Sequence, residues 1–275
     1  MKKRVLFFTV TSLVIFQKAT AQKALAALPV AKHPFIVVAH RGDHVDAPEN
    51  TIAAYELGIQ HGVDFVEIDL RTTKDSQLVI MHDATVNRMT NGNGKVSDLS
   101  FAEIRQLKLA DKTRPGLGEH QVPSFEEVLK VCRGKIGIYL DYKNARVEQA
   151  YQLIQQYKME KDIVVYINTP QQFIDWRRVA PNMPLMISLP DNIKTAEALT
   201  KFLQTTPVEI LDGDYSDYTP EILAAAIKAG SVVWPDIQSP QEAGNWDKAI
   251  AIGLKGLQTD HPAALIHYLE QKGLR

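Results

Sequence analysis

Charged residues recur in this chain at short, regular intervals inside otherwise apolar runs. His40-Arg41-Gly42 follows the run from Phe35, Glu67-Ile68-Asp69 sits within Val63–Leu70, and Asp141-Tyr142-Lys143 closes a run that begins at Ile136. A further pair, His82-Asp83, follows Leu78–Met81. In an extended strand residues two apart share a face, so Glu67 and Asp69 point the same way, as do Asp141 and Lys143. Charge inside an apolar strand is costly unless it is partnered. Glu67, Asp69 and Asp141 are hard oxygen donors suited to one divalent cation, Ca2+ or Mg2+, and without thiolates they suit Zn2+ less. His40 and His82 titrate near neutrality and are candidates for a general acid and base. Arg41 and Lys143 can neutralise phosphate oxygens, Arg41 with a bidentate fork. Such a set suits phosphoryl transfer, where positioning and charge neutralisation dominate. Glu-x-Asp pairs also occur on solvated strands, so spacing alone does not single out a site.

These groups must be positioned by strand ends. Eight short apolar runs read as strands: Phe35–His40, Val63–Leu70, Ile136–Asp141, Ile163–Ile167, Pro184–Leu189, Val208–Leu211, Ser231–Trp234 and Gly256–Thr259. Between most of them lie helical stretches such as Thr51–His61, Arg146–Tyr157, Gln171–Val179, Lys194–Gln204, Pro220–Ala229 and Pro262–Gln271. Short apolar strands alternating with helices predict an α/β fold with a parallel sheet covered on its faces. Eight of them favour a closed (β/α)8 TIM barrel; an open doubly wound sheet is the alternative that the pattern leaves standing. From Arg71 to about Ser124 the alternation stops, with a further strand at Leu78–Met81 and a turn-rich run at Thr90–Gly94. We read about 71–124 as a small insertion after the second barrel strand that partly caps the mouth. In such a barrel, residues at the C-terminal ends of the strands converge on one site.

Composition sets limits on partners and compartment. The 275 residues carry a formal charge of −1, from 31 basic and 32 acidic side chains, which argues against a broad surface for nucleic acid. One cysteine, Cys132, excludes an intramolecular disulfide framework and any Cys-based zinc site; it reads as a small buried residue on a helix. Met1-Lys2-Lys3-Arg4 is a basic start, Val5–Phe16 is apolar, and Ala19-Thr20-Ala21 obeys the small-x-small rule for cleavage after Ala21. Residues 1–21 therefore read as a signal peptide, with 22–275 as the mature domain, exported to the periplasm or secreted. The apolar run is too short for a permanent membrane anchor. A buried or amphipathic first helix is the alternative. The mature length matches the roughly 250 residues typical of a single barrel.

The motifs taken together are more specific than any one of them. His40-Arg41-Gly42, Pro48-Glu49-Asn50-Thr51, Gly62-x-Asp64-x-x-Glu67-x-Asp69, Thr73-Lys74-Asp75 and His82-Asp83 occur in that order. Arg88-x-Thr90-Asn91-Gly92, Val122-Pro123-Ser124-Phe125-Glu126-Glu127 and Thr259-Asp260-x-Pro262 follow. Over essentially the whole mature chain this resembles the glycerophosphodiester phosphodiesterase family. The resemblance implies a TIM barrel with an insertion after strand two. It also implies divalent-metal hydrolysis of glycerophosphodiesters to glycerol 3-phosphate and an alcohol. It makes His40 and His82 the acid/base pair, Glu67 and Asp69 metal ligands, and Arg41 a phosphate contact. Where the family has glutamate in Glu-x-Lys, this chain has Asp141-x-Lys143, whose carboxylate reaches about one methylene less far. Ser76 stands where the family has glycine after Lys-Asp, which alters only a turn.

Several residues keep two readings. Asp141 is a metal ligand or the salt-bridge partner of Lys143. Glu49 either orients Arg41 or a metal-bound water, or sits at a helix N-terminus favoured by the dipole. Trp234 either forms an apolar wall under the substrate's glycerol or packs in the core. His33, His44, His61, His120, His261 and His267 lack comparable settings and read mostly as surface residues. A glycosidase using Glu67 and Asp69 has little use for two histidines, and a lipid esterase calls for an apolar loop where Lys74–Leu99 is mostly polar. A non-catalytic barrel would tolerate loss of either histidine, and both are present. The expected partner is a small glycerophosphodiester. Its alcohol and the oligomeric state leave no mark in the sequence.

Overall fold

The chain alternates short apolar strands with capped helices. A computed structural model describes residues 25–275; the expected signal peptide lies outside them. The strands are β1 (Ile36–Ala39), β2 (Phe65–Thr72), β3 (Leu78–Ile80), β4 (Gly137–Tyr142), β5 (Ile163–Ile167), β6 (Leu185–Ser188), β7 (Ile210–Asp212), β8 (Val232–Val233) and β9 (Gly256–Thr259). The helices are α1 (Ile52–His61), α2 (Phe101–Arg105), α3 (Phe125–Cys132), α4 (Val147–Gln156), α5 (Pro170–Val179), α6 (Ala196–Thr205), α7 (Pro220–Lys228), α8 (Trp246–Ile252) and α9 (Pro262–Gln271). Helix starts are set by local chemistry. Thr51, Thr195 and Thr219 accept a backbone N–H at their N-caps, while Ser124 and Thr169 form full capping boxes with Glu127 and Gln172.

The strands lie in the order β8-β7-β6-β5-β4-β2-β1-β9, all parallel, with β3 antiparallel to β2 off this path. The seam between β8 and β9 is closed just past β8, where Gln258 N donates to Pro235 O at 2.9 Å and Ile237 N donates to Gln258 O at 3.0 Å. The result is a nearly closed eight-stranded barrel, as the strand and helix pattern predicts. Alternate strand residues fill it. Ile36, Val38, Phe65, Tyr139, Val164, Met186, Ile210 and Trp234 form one cluster inside, while their neighbours pack outward against the helices in a larger core. Two glycines make room for the interior rings: a Cβ on Gly137 would lie 2.4 Å from the Phe65 ring, and one on Gly256 2.3 Å from the Trp234 ring.

Between β2 and α3 the chain departs from the repeat. This segment has its own small core, including Val79, Met81, Val86, Met89, Ile104 and Leu109. Arg71 ties it to β2 by donating from Nε to the carbonyls of Met81 and His82 at 3.0 Å each. Ser76 adopts φ 62° in its turn, the left-handed region that glycine enters without cost. Among the described residues, no helix is long and apolar enough to cross a membrane.

Candidate active site

Strand pairing builds the acidic centre. In the parallel β2–β4 pair Asp69 lies beside Asp141, and the period of two puts Glu67 on the same face. One oxygen from each of Glu67, Asp69 and Asp141 falls within 4.8 Å of the others. Burial, with Asp69 and Asp141 close by, pushes Glu67 well above the usual carboxylate range. Burial raises Asp141 too. Asp69 moves down, because Lys143, His82 and Arg41 together outweigh its burial. Asn50 Nδ2 donates to Asp69 Oδ2 at 2.7 Å, and Lys143 Nζ lies 3.1 Å from Asp69 Oδ1 while also contacting Asp141. Asp69 Oδ1 is buried and accepts no well-aligned hydrogen bond. Crowded hard oxygens with one buried acceptor unsatisfied fit a divalent cation.

A tight turn after β1 delivers the next groups. Arg41 and Gly42 both have positive φ, 54° and 82°. A Cβ on Gly42 would also lie 2.8 Å from that of Ala54, so both the dihedral and the approach of α1 demand glycine. The turn lets Arg41 N donate to Glu67 Oε2 at 2.8 Å. Its Nη1 donates to both oxygens of Glu49 at 3.1 Å, and its Nε lies 3.7 Å from Asp69 Oδ2. Arg88, from the segment between β2 and α3, grips the same Glu49 at 2.7 and 2.9 Å and reaches Asp83 at 2.8 and 3.0 Å. Asp83 pairs with His82 Nδ1 at 2.7 Å, and Asp260, just past β9, pairs with His40 Nδ1 at 2.7 Å. Each imidazole is therefore oriented by a carboxylate on Nδ1, which leaves Nε2 for proton transfer.

A cavity of about 280 Å³ at the C-terminal mouth is lined by His40, Arg41, Glu67, Asp69, His82, Asp141 and Lys143. Glu49 stands behind it as the holder of Arg41. Trp234 is not brought to the cavity: it is 6% exposed, deep in the barrel 5.0 Å from the Phe65 ring, which matches its core reading. Of the six histidines read mostly as surface residues, only His267 is exposed. His44 needs the plainest correction. Its ring packs edge-on to His40 at 5.9 Å, and its Nε2 lies 3.4 Å from Asp260 Oδ1. Burial lowers its pKa. Asp83, Arg88, Asn50 and Asp260 stood inside the quoted motifs without assigned roles. Residues on the far wall, Tyr139, Asp212, Asp236 and Gln258, were not singled out at all; only their position within or just past predicted strands could have drawn notice.

A TIM barrel whose mouth gathers a carboxylate triad, two carboxylate-held imidazoles and two cationic side chains has the make-up of a barrel enzyme for phosphoester chemistry. Comparison with known proteins narrows the class. The model described as "Glycerophosphoryl diester phosphodiesterase family" matches residues 40–264, and the chain belongs to that family. It is 29% identical over 245 residues to a glycerophosphodiester phosphodiesterase of Caldanaerobacter subterraneus, covering 86% of this chain and 99% of the relative. Its fold is similar to the crystal structure of glycerophosphodiester phosphodiesterase from Agrobacterium tumefaciens, with a TM-score of 0.74, 26% identity, and 83% and 98% of the two chains covered. A phosphodiesterase of Oleispira antarctica, solved in complex with the product sn-glycerol-3-phosphate, shares the fold with a TM-score of 0.75 and 21% identity, over 86% and 96% of the chains.

Proposed function

We propose that this enzyme hydrolyses glycerophosphodiesters to glycerol 3-phosphate and an alcohol, using one divalent cation, Ca2+ or Mg2+, and the His40–His82 pair. The observation that carries this reading is the meeting of triad, imidazoles, Arg41 and Lys143 around one cavity. Family membership, and the product seen in the Oleispira relative, support the substrate class. When bound by Glu67, Asp69 and Asp141, a divalent cation supplies Lewis-acid neutralisation of phosphate charge. Arg41 and Lys143 bind non-bridging phosphate oxygens, and Glu49 keeps the Arg41 guanidinium in place. One histidine takes a proton from the nucleophile, either water or the substrate's own glycerol hydroxyl. The other delivers a proton to the departing alkoxide. Asp260 and Asp83 hold the two rings in register for these transfers.

Export to the periplasm or out of the cell belongs to the same proposal and is supported by the basic start, apolar run and Ala19-Thr20-Ala21 of the N-terminal sequence.

The test is glycerol 3-phosphate release from a panel of glycerophosphodiesters, with EDTA and then Ca2+ or Mg2+ restored. Release that EDTA abolishes and a divalent cation restores is the expected result. No release from any substrate with any cation refutes the reading.

A further inference from the structure

The cavity has a second acidic wall that the proposed hydrolysis does not use. Asp212 ends β7, four strands round the barrel from β2, and Asp236 follows β8, four strands from β4, so they face the triad across the axis. The hydrogen bonds of this wall run into its two carboxylates. The Tyr139 hydroxyl donates to Asp212 Oδ2 at 2.7 Å, while Gln258 Nε2 and Gln238 Nε2 both donate to Asp236 Oδ1. Two acceptors are left over. Asp212 Oδ1 and Gln258 Oε1 are buried without any hydrogen-bond partner, in side chains 3% and 4% exposed. Among the described residues, neither aspartate has an ion-pair partner; the cavity's Arg41 and Lys143 are engaged by Glu49, Asp69 and Asp141. Burial, with Asp236 next to it, pushes Asp212 well above the usual carboxylate range. A wall of unsatisfied acceptors short of positive charge is unfavourable alone and complementary to a donor-rich cation.

Resting on the hydrolytic reading above, we propose that this wall is the head-group subsite and selects a diester whose alcohol carries a primary ammonium. A primary ammonium brings three N–H donors on one positive charge, enough for Asp212 Oδ1, Gln258 Oε1 and an Asp236 oxygen. A quaternary ammonium brings the charge without a donor. A polyol brings donors without the charge.

The test compares kcat/KM for glycerophosphoethanolamine, glycerophosphocholine and glycerophosphoglycerol in the cation-loaded enzyme and in Asp212→Asn and Asp236→Asn. Wild type is expected to favour the ethanolamine diester by about tenfold or more, as befits hydrogen bonds to charged groups. Each substitution is expected to move the ethanolamine-to-glycerol ratio towards one. Release from all three without that preference overturns the subsite alone, as does a ratio unchanged in both variants. Equal losses on all three substrates also overturn it, because the wall would then hold the shared glycerol. No release from any of them overturns the hydrolytic reading and the subsite with it. Both substitutions keep an acceptor oxygen in place and leave no buried cation without its partner, so folding should survive. If either variant fails to fold, the wild-type ranking still decides.

Discussion

Three carboxylates that share one ion-sized space repel each other, and the residues around them show how this protein contains the conflict. Lys143, His82 and Arg41 lower Asp69 against its burial, while burial and the neighbouring carboxylates raise Glu67. The proposed mechanism gives Lys143 and Arg41 to phosphate, so it requires charge at the mouth to be rearranged when ligands enter. The imidazoles are treated differently. Each has a single carboxylate on Nδ1, which fixes ring orientation and leaves one nitrogen free. His40→Ala or His82→Ala should therefore lower kcat by about 10²–10⁴-fold, the usual share of a positioned acid or base. Circular dichroism and melting temperature should stay close to wild type, since neither ring is in the core; near-normal turnover in either variant removes that histidine from the mechanism. His40, His82, Glu67, Asp69 and Asp141 could be named from sequence because charge stands out within an apolar run. Asp260 and Arg88 carried no assigned role there, since what they do depends on partners 220 and 39 positions away. Asp212 and Asp236 looked like ordinary residues at strand ends, and only barrel closure shows that they face the triad.

Strands and helices decide whether those residues meet. The apolar runs and the period-two spacing were enough to place eight barrel strands and most helices. They could not show that β8 has only two residues of its own and that closure passes through Pro235, Ile237 and Gln258. Nor could they show why glycine occurs in β4 and β9. Those positions face into a barrel already filled by the Phe65 and Trp234 rings, and side chains of that size leave no volume for a methyl group beside them. Gly256→Ala puts a Cβ 2.3 Å from the indole unless something shifts. Because β9 forms the closing seam, displacement of Trp234 strains both its own strand end and the β8–β9 hydrogen bonds. The expected cost is about 1–3 kcal/mol of stability, the range for overpacking a core. That should appear in thermal unfolding as a drop of roughly 2–4 °C per kcal/mol for a chain this size. A melting temperature equal to wild type means that the interior is less tightly filled than the ring contacts imply. The same reasoning applies to Trp234 itself, whose strand-end position allowed a substrate contact but whose surroundings make it a core side chain.

At the scale of the whole molecule, the near-zero net charge conceals opposed local fields: acidic walls on both sides of the mouth, with arginine, lysine and histidine between them. Stability cannot come from disulfides, because Cys132 is the chain's one cysteine. It lies on α3 in the core between barrel and helices, wholly buried, and burial pushes its thiol up to about 12. A thiol raised so far stays protonated at neutral pH in the folded chain, and the protonated form is a poor nucleophile. If it is exported as proposed, an enzyme built this way should be indifferent to the redox state of its surroundings. Two measurements on one preparation test the proposed export and this consequence together. Full-length protein expressed with a functional secretion system should be recovered outside the cytoplasm with Gln22 as its first residue. That mature protein should melt at the same temperature with and without dithiothreitol, and Cys132 should react with a thiol reagent only after unfolding. Recovery of protein that still begins at Met1 contradicts cleavage after Ala21. Rapid labelling of the native protein contradicts the buried thiol, and with it the view that packing around the barrel, rather than covalent cross-linking, keeps the strand ends in register.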